Sequence, residues 1–503
     1  MVVLDRRSQI RPAFLVLLWR GLIMSSWRFL FVLAVWLLVG PDIVAQPPIV
    51  PTNGKWLVVF EVDATPTPLP AMKYQLLPEI RDLQAGNQIP AFYKCFMEQN
   101  FLFFNKESEE DRERWHYAPL STLAKVPNLI GYGGGAVRQA HHAARLDVVD
   151  WQIQNQIKAE GINLLLPDVQ QMRRLAMVLK VRLRGEVARG EFDAALQTTQ
   201  TLFALARAFN DHPTVISQIV GIAITSLTLD AVEELVQQPG APNLFWALVD
   251  LPTPFINLRK GVQGDRTWVG KEFDVLRKAE PISESDLQIL VKKIDLIVRY
   301  ADSNKEFNST WYFQQVFNST KVAAARDRLA KLGHRPPALA ALPPIQILMM
   351  DDFARYEIAR DEIAKWAALP YWQTPPTLEM GSPEGGVSTR MMNSQAPEGV
   401  FIRLLPTLRK ARQAQNRVQQ RIAMLQVVEG LRAHAAGNAG KFPARLDEVK
   451  LPLPVDPFSG KQFCYELKGA KAVIQGTPPA DDVKQPIFNR VYEITLASHD
   501  PRQ

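Results

Sequence analysis

Cysteine is the scarcest residue in this sequence. The 503-residue chain contains only Cys95 and Cys464, so a disulfide framework and a CxxC pair for zinc or thiol exchange are both excluded. We expect the two thiols to stay unpaired. Histidine is also sparse, and His141 and His142 are adjacent, so a helix would point them about 100° apart and they could not share a metal ion. Because GxSxG and HExxH motifs are missing as well, the sequence identifies no catalytic residue, no cofactor site and no metal site.

A strong excess of one charge is also lacking. The formal net charge is +7, but five of the 58 basic and two of the 51 acidic residues lie in residues 1–45, and the rest of the chain carries only +4. No stripe of basic and aromatic residues is present, so we predict no nucleic-acid partner. Proline (37 residues) outnumbers glycine (27), which favours rigid turns and helix breaks over flexible tethers.

Residues 1–45 are predicted to be a signal peptide or an N-terminal membrane anchor. Arg28 precedes the uncharged apolar run Leu30–Val39, and Pro41 follows it, which is the pattern of a secretory signal. The run is shorter than the roughly 20 apolar residues that span a bilayer. We therefore expect cleavage near Ala45, which would leave Gln46 as the mature terminus.

Two alternatives for this segment stay open. Translation from Met24 would give an ordinary leader, whereas translation from Met1 adds the apolar patch Phe14–Leu18 ahead of it. The two patches together would form an uncleaved anchor. In either case the body of the chain is predicted to be exported, to the periplasm or the outer face of the cytoplasmic membrane, with membrane contact only through its N-terminal segment.

The next 80 residues, 46–125, mix prolines with aromatic residues and indicate an irregular cap. Residues 56–60 have the composition of a strand, but a single strand is not stable alone. The charged run Glu107–Arg114 is typical of a solvated helix face or a loop.

Residues 126–370 are predicted to form a helical domain. Apolar residues recur at helical spacing between Pro167 and Gly190, and a second helix follows up to Pro213, so the two should form a hairpin. The joint GEFDAAL at 190–196 resembles the turn and second helix of a tetratricopeptide unit, in which the small residue at Ala195 allows close helix packing. The resemblance covers about one unit. The uncharged stretch 214–229 is predicted to be a central core helix.

Two segments of this domain weakly resemble functional motifs. The glycines Gly131, Gly133, Gly134 and Gly135 precede a helix, where such turns sometimes bind phosphate, but no Lys-Ser/Thr pair follows and we expect a hinge or a close helix approach. A second candidate is an acidic helix that contains Asp351, Asp352, Glu357, Asp361 and Glu362. Because Arg355, Arg360 and Lys365 are interleaved with these acids, we interpret it as an ion-paired, solvated face rather than a cation site.

Residues 371–400 have the Pro/Gly/Ser composition of a linker, and residues 401–503 should form a small α+β module. In it, a helix over 417–434 precedes a turn at Asp456-Pro457 and two strands, 463–467 and 472–474, that a turn at Lys468-Gly469-Ala470 joins. We expect this module to pack independently, with the helix covering Phe463, Tyr465 and Leu467. It resembles the region after the long helix in the major pseudopilin of type II secretion at Gly440, Phe442, Pro443, Leu446, Asp456, Pro457, Gly460 and Tyr465.

The pseudopilin resemblance covers about 60 residues. The segment lacks its own methylated hydrophobic helix and has no clear counterpart of the pseudopilin calcium-loop aspartates, so it implies a borrowed module rather than a pilin subunit.

The sequence as a whole predicts a mainly α protein, with a tetratricopeptide-like helical-hairpin body and a small pseudopilin-like α+β end. It resembles exported bacterial proteins of unassigned activity. Three functions stay open: a non-catalytic extracytoplasmic scaffold that binds a protein or peptide, a component of envelope assembly or type II-like secretion, and an enzyme whose site is assembled from scattered residues.

Overall fold

The computed structural model of the protein describes residues 54–161, 164, 166–301, 309–374, 399–401, 405–479 and 482–497. The leader predicted for residues 1–45, with its alternatives, lies outside the described residues, as do residues 375–398 of the predicted linker. Helices predominate in the described residues, so the chain is mainly α.

The elements follow one another from a short strand through a long helical region to a β-rich end. The helices are α1 (Gln88–Glu98), α2 (Asn100–Phe104), α3 (Lys106–Tyr117), α4 (Leu120–Leu123), α5 (Gly134–Ala143), α6 (Gln154–Glu160), α7 (Pro167–Ala188), α8 (Phe192–Ala208), α9 (Val215–Val236), α10 (Phe245–Val249), α11 (Arg259–Glu272), α12 (Glu284–Ala301), α13 (Thr310–Gln315), α14 (Ser319–Lys331), α15 (Pro336–Ala340), α16 (Pro344–Trp366) and α17 (Leu405–Gly437). The strands are β1 (Trp56–Val62), β2 (Gln84–Asn87), β3 (Leu146–Val148), β4 (Cys464–Lys468), β5 (Lys471–Gln475) and β6 (Arg490–Leu496). Short 3-10 helices lie at Ile80–Asp82, Pro127–Leu129, Phe209–Asp211, Asp274–Arg277, Tyr371–Gln373, Leu446–Glu448 and Pro486–Phe488.

The larger sheet joins the two ends of the described chain. Its strand order is β1-β6-β5-β4, in which β4, β5 and β6 are antiparallel and β1 runs parallel to β6. The β4–β5 hairpin confirms the prediction of two strands around the turn at Gly469. The strand expected at 56–60 also forms, and β6 is the partner that the local sequence lacked. β2 and β3 pair separately.

Helices α7 and α8 pack against each other as the predicted hairpin. Gly190 lies between them with a φ of 70°, a conformation that glycine adopts without strain. Ala195 is fully buried at the position where a small side chain was expected. The Thr198 hydroxyl donates to the Glu186 carboxylate over 2.7 Å, so a buried hydrogen bond also ties the two helices.

Helix α9 is the core helix that the uncharged stretch predicted. By length and composition it would be able to cross a membrane, but 72% of its apolar window is buried inside the fold. Helices α7, α8 and α17 pack around it. Asp230 and Glu233 near its C-terminal end are paired with residues of other elements, as expected for a helix enclosed by protein.

The C-terminal segment does not pack as an independent module, so that expectation is wrong. Helix α17 was predicted to bury one apolar stripe, yet every residue from 418 to 432 except Gln419 and Gln426 is buried, including the consecutive residues Ala423, Met424 and Leu425. It contacts α9 and α10, while Gly430 lies against Leu453 and Val449 of the following loop. A helix enclosed from both directions belongs to the core of the helical body.

The expected covering of the C-terminal strands is also only partly right. Phe463 is buried and belongs to the same apolar cluster as Phe60 of β1. Tyr465 is half-buried, and its hydroxyl donates to the Pro443 carbonyl over 2.7 Å. Leu467, however, is 36% exposed because β4 is an edge strand of the sheet.

Residues 54–125 are more regular than their composition suggested. Three helices, α1 to α3, occupy most of residues 88–117, and α1 packs closely on α5. The charged run Glu107–Arg114 lies within α3. Cys95 is buried in α1 and Cys464 is exposed on β4, and both thiols are free, which confirms the prediction that they stay unpaired.

A second apolar cluster lies apart from the main one. It involves α11 to α16 and includes Phe273, Tyr312, Phe353 and, from the far side of the predicted linker, Phe401. Phe401 sits 4.9 Å from the Phe273 ring and 5.0 Å from the Phe353 ring, centroid to centroid. The end of the linker is therefore packed into this cluster.

Candidate functional site

A cluster of buried charges joins α7, α9, α17 and β6. Its members are Lys180, Asp230, Glu233, Arg421, Arg490 and Tyr492, hereafter the charge cluster. Asp230 accepts from the Lys180 ammonium over 3.0 Å and from the Arg421 guanidinium over 2.8 Å. Glu233 accepts from Arg421 over 2.8 Å and also from the Tyr492 hydroxyl.

Electrostatics within the charge cluster favour the ionised pairs. Burial alone would raise the pKa of Asp230, but the adjacent Lys180 and Arg421 cations outweigh it and hold that pKa well below its usual range. Burial would likewise lower the pKa of Arg421, but Glu233 and Asp230 raise it instead. Since each charge is met by an opposite one, the cluster cross-links the core and offers no free acid or base.

Two further buried arginines act as cross-links. Arg184 of α7 makes a bidentate pair with Glu234, with both distances 2.7 Å, and donates to the carbonyls of Trp115 and Ala118. It thus fastens the end of α3 to the hairpin. No sequence pattern singled it out.

Arg432 of α17 has a comparable role just after the C-terminal end of β1. Its guanidinium pairs with Glu429 over 2.9 Å and donates to the Asp63 carbonyl over 3.0 Å and to the Thr65 hydroxyl over 2.9 Å. Both members of the ion pair have fully buried side chains. This contact again ties the N-terminal strand to the C-terminal helix.

The first half of the predicted acidic helix is buried, which corrects its interpretation as a solvated face. Asp351 pairs with Arg328 over 2.8 Å and with Arg355 over 3.1 Å. Asp352 is fully buried and accepts from the Tyr312 hydroxyl over 2.5 Å and from the amide of Val400 over 2.6 Å. Burial raises the pKa of Asp352. These acids hold α14, α13 and the end of the linker on α16.

The second half of the same helix lines an open cleft. The cleft has a volume of about 620 Å³ and is lined by Arg266, Thr267, Arg277, Glu357, Ile358, Arg360 and Asp361; it is called the arginine cleft below. These residues come from α11, the 3-10 helix Asp274–Arg277 and α16. The sequence singled out Glu357, Arg360 and Asp361, but nothing in it pointed to Arg266 or Arg277.

Arginines of this cleft are held by carboxylates and aromatic rings. Arg277 makes a bidentate pair with Glu357, at 3.1 and 2.7 Å, and lies 5.6 Å from the Phe353 ring centroid. The pairing with Glu357 raises its pKa. Arg360 pairs with Asp361 over 2.9 Å. The cleft therefore presents fixed charges of both signs.

The outer pairs of the cleft are exposed and weak. Arg266 and Asp361 are 3.3 Å apart, with side chains 61% and 43% exposed. Exposed ion pairs of this kind contribute about 0 to 1 kcal/mol. Ile358, another lining residue, is 38% exposed, which adds an apolar surface to the cleft. A partner would displace these pairs at small cost.

The other residues that the sequence singled out pack against, or hydrogen-bond to, neighbouring residues of the fold. Gly134 lies against Gln99, the residue after α1, and Gly135 lies against Glu98 of α1, the close helix approach that was expected. His141 shares a hydrogen bond of 2.7 Å with the Thr201 hydroxyl, and burial lowers its pKa to about 4.

Asp456, a residue of the pseudopilin resemblance, organises the turn before the β-hairpin. Its carboxylate is fully buried and accepts from the Gln420 amide over 3.0 Å, the Phe458 amide over 3.0 Å and the Thr477 amide over 2.6 Å. All three donors are protein groups, so this carboxylate is used to close a turn against α17.

Within the described residues, no group of three or more His, Cys, Asp or Glu side chains has the arrangement to hold a metal ion. No protein-family model matches the sequence, and no curated protein and no solved structure does either.

Proposed function

We propose that this protein is a non-catalytic, extracytoplasmic scaffold that binds a polypeptide partner at the arginine cleft. The observation that carries the proposal is an open cleft of about 620 Å³ whose lining includes an exposed ion pair and an exposed apolar side chain. The extracytoplasmic location rests on the predicted leader.

The partner's chemistry follows from the lining. Arg266 gives the cleft an exposed positive charge that is weakly held by Asp361, the Asp361 carboxylate is also held by Arg360, and Ile358 lines the same cleft. A segment with an acidic residue, an apolar residue and a basic residue in reach of one another would replace the weak internal pair and cover Ile358. Small ligands are a poorer fit because the cleft is open to solvent.

Site-specific photo-crosslinking tests this proposal. A photoreactive residue at position 358, introduced into the full chain in cells, should give a discrete protein adduct that mass spectrometry can identify. The same residue at Glu109, an exposed position on α3, is the matched control and should give no such adduct.

Charge reversal sharpens the test. Arg266→Glu should abolish the adduct at position 358 because it would repel the partner's acidic residue, while expression and unfolding stay unchanged. An adduct that survives Arg266→Glu, or that forms equally at position 109, would exclude specific binding in the cleft. A purely lipid adduct would also contradict the proposal.

A second candidate, a component of envelope assembly or type II-like secretion, is favoured by one arrangement. The long helix α17, the Asp456 turn and the β4–β5 hairpin follow one another in the order that the pseudopilin resemblance implies. Co-purification of the full chain with a secretion-machinery subunit, lost on Asp456→Ala but retained in Arg266→Glu, would support this candidate over the first.

A further inference from the structure

The segment Gly399–Phe401, at the end of the predicted linker, is docked on α16 through one carboxylate and is called the latch segment below. The amides of Val400 and Phe401 both donate to Oδ2 of Asp352, over 2.6 and 3.0 Å. The side chains of Val400 and Phe401 are buried, and so is Asp352. The carboxylate thus takes the place of the water that the two amides would otherwise bind.

Docking leaves no room for a side chain at the first position of the latch segment. Gly399 has a φ of 147°, in a region of backbone conformation that favours glycine. A Cβ atom there would overlap Oδ1 of Asp352. The docked state is therefore sensitive to the addition of a single methyl group.

The ring of Phe401 connects the latch segment to the arginines of the cleft. Its centroid lies 5.0 Å from the Phe353 centroid and 6.0 Å from the Tyr356 centroid. The Arg277 guanidinium lies 5.6 Å from the same Phe353 ring. The Arg360 guanidinium lies 5.5 Å from the same Tyr356 ring. Each of the two rings is therefore contacted by Phe401 and by an arginine of the cleft.

Phe401 also contacts the second element that supplies these arginines. Its ring lies 4.9 Å from that of Phe273, which directly precedes the 3-10 helix Asp274–Arg277. The bidentate partner of Arg277 is Glu357 of α16. Phe401 therefore packs against both of the elements that this ion pair joins.

We propose that the latch segment positions the arginine cleft, because its docking on Asp352 places Phe401 against the rings that contact Arg277 and Arg360. Undocking would leave these rings without a neighbour that fixes their rotamers, and a site whose supporting side chains are not fixed loses its geometry. Phe401 and Asp352 act through other residues, so they are positioning residues. The effect on a partner rests on the function proposed above, whereas the effect on the cleft does not.

Amide hydrogen exchange of the full chain tests the positioning step. Gly399→Ala should prevent docking, because its methyl group would overlap Asp352, and it removes no side chain from the cleft. Exchange should become at least about tenfold faster in residues 273–278 and 353–361 and should keep the wild-type rate in α9. Gly333→Ala is the matched control, since Gly333 also has a positive φ, 101°, but no described atom lies within 4 Å of its Cβ position.

Variants of Phe401 test the same step without a steric clash, also in case Gly399→Ala does not fold. Phe401→Ala should accelerate exchange in the same two segments, because it removes the ring from Phe353 and Tyr356. Phe401→Leu keeps a large apolar side chain and should restore most of the protection. Wild-type exchange in Phe401→Ala, or equal exchange in Gly399→Ala and Gly333→Ala, would overturn the proposal.

Photo-crosslinking from position 358 connects the latch segment to binding. Gly399→Ala should lower the adduct yield about tenfold or more, because only the docked fraction of the chain presents the competent cleft, while Gly333→Ala should keep the yield. Phe401→Leu should recover the yield that Phe401→Ala loses. A latch segment that only stabilised the fold would leave the yield of the folded chain unchanged, so a wild-type yield in Gly399→Ala would overturn the proposal.

The two experiments separate this proposal from the function on which its last step rests. If the wild-type chain gives no adduct at position 358, the function proposed above fails. The exchange rates of residues 273–278 and 353–361 then still decide whether the latch segment positions the cleft.

Discussion

The charge cluster and the arginine cleft use the same residue types in opposite ways. In the charge cluster, Arg421 and Glu233 have side chains only 3% and 0% exposed and lie 2.8 Å apart. In the cleft, Arg266 and Asp361 are 61% and 43% exposed and lie 3.3 Å apart. One set is enclosed by four elements, whereas the other faces solvent.

The difference teaches which charges are available to a partner. The two charges of a buried ion pair have lost their contact with water and are stabilised by each other. Removal of one member therefore leaves an unpaired charge in the core. An exposed pair exchanges with water and salt at little cost. Sequence composition does not separate the two cases, since Arg421 and Arg266 both lie on helices that carry several other charged residues.

The largest effect should come from breaking the charge cluster. Arg421→Met leaves Glu233 and Asp230 without their shared cation and should lower the free energy of unfolding by about 3 to 5 kcal/mol in urea titrations. Arg266→Met is the matched control, with an expected change within about 0.5 kcal/mol. Equal losses for the two variants would remove the distinction between the regions.

Rescue sharpens this result. Glu233→Gln added to Arg421→Met should recover part of the loss, because the buried carboxylate becomes neutral after losing its nearest cation and keeping only Arg490, at 3.4 Å, as a counter-charge. No recovery would mean that packing of the Arg421 side chain, rather than its charge, stabilises the core.

The local parts of this fold were predictable from sequence, and the long-range parts were not. Helical periodicity identified α7 and α8, the uncharged stretch 214–229 identified α9, and the Lys468-Gly469-Ala470 turn identified the β-hairpin. The pairing of β1 with β6 lies beyond any local pattern, because the two strands stand at opposite ends of the described chain.

The candidate site shows the same limit. Arg421 and Asp230 are 191 residues apart in sequence, so their pairing left no periodic signal. Arg421 and Arg432 of α17 are likewise neutralised by buried carboxylates. Glu357 and Asp361 were noted from sequence, but Arg266 and Arg277 come from separate segments that only the fold brings to α16.

A buried histidine should make stability depend on pH, with an intermediate effect. The pKa of His141 is about 4 in the folded protein and about 6.5 in the unfolded chain, so folding favours the neutral form. The stability that this preference contributes is complete above pH 6.5 and is lost as the pH falls toward 4, by at most about 3 kcal/mol.

The adjacent histidine supplies the control for this prediction. His141→Gln should make the change of unfolding free energy between pH 6.5 and 4 smaller, measured by urea titration at several pH values, and the remaining change should come from the buried His116 and His212, whose pKa burial also lowers. His142→Gln, one residue away and exposed, should leave the pH dependence of wild type. Identical pH profiles for the two variants would exclude His141 as the titrating group.

The smallest effect on stability is expected from the exposed ion pair of the arginine cleft. A double-mutant cycle of Arg266→Ala and Asp361→Ala should give a coupling of about 0.2 to 1 kcal/mol, because water already screens both groups. Salt at 1 M shortens the screening length to about 3 Å and should reduce that coupling further. The same cycle with Lys180→Ala and Asp230→Ala should give a larger coupling that salt hardly changes, since those side chains are 1% and 13% exposed. If the cleft pair instead coupled as strongly as the buried pair, Arg266 and Asp361 would be fixed parts of the fold, and a partner would have no exchangeable charges to replace.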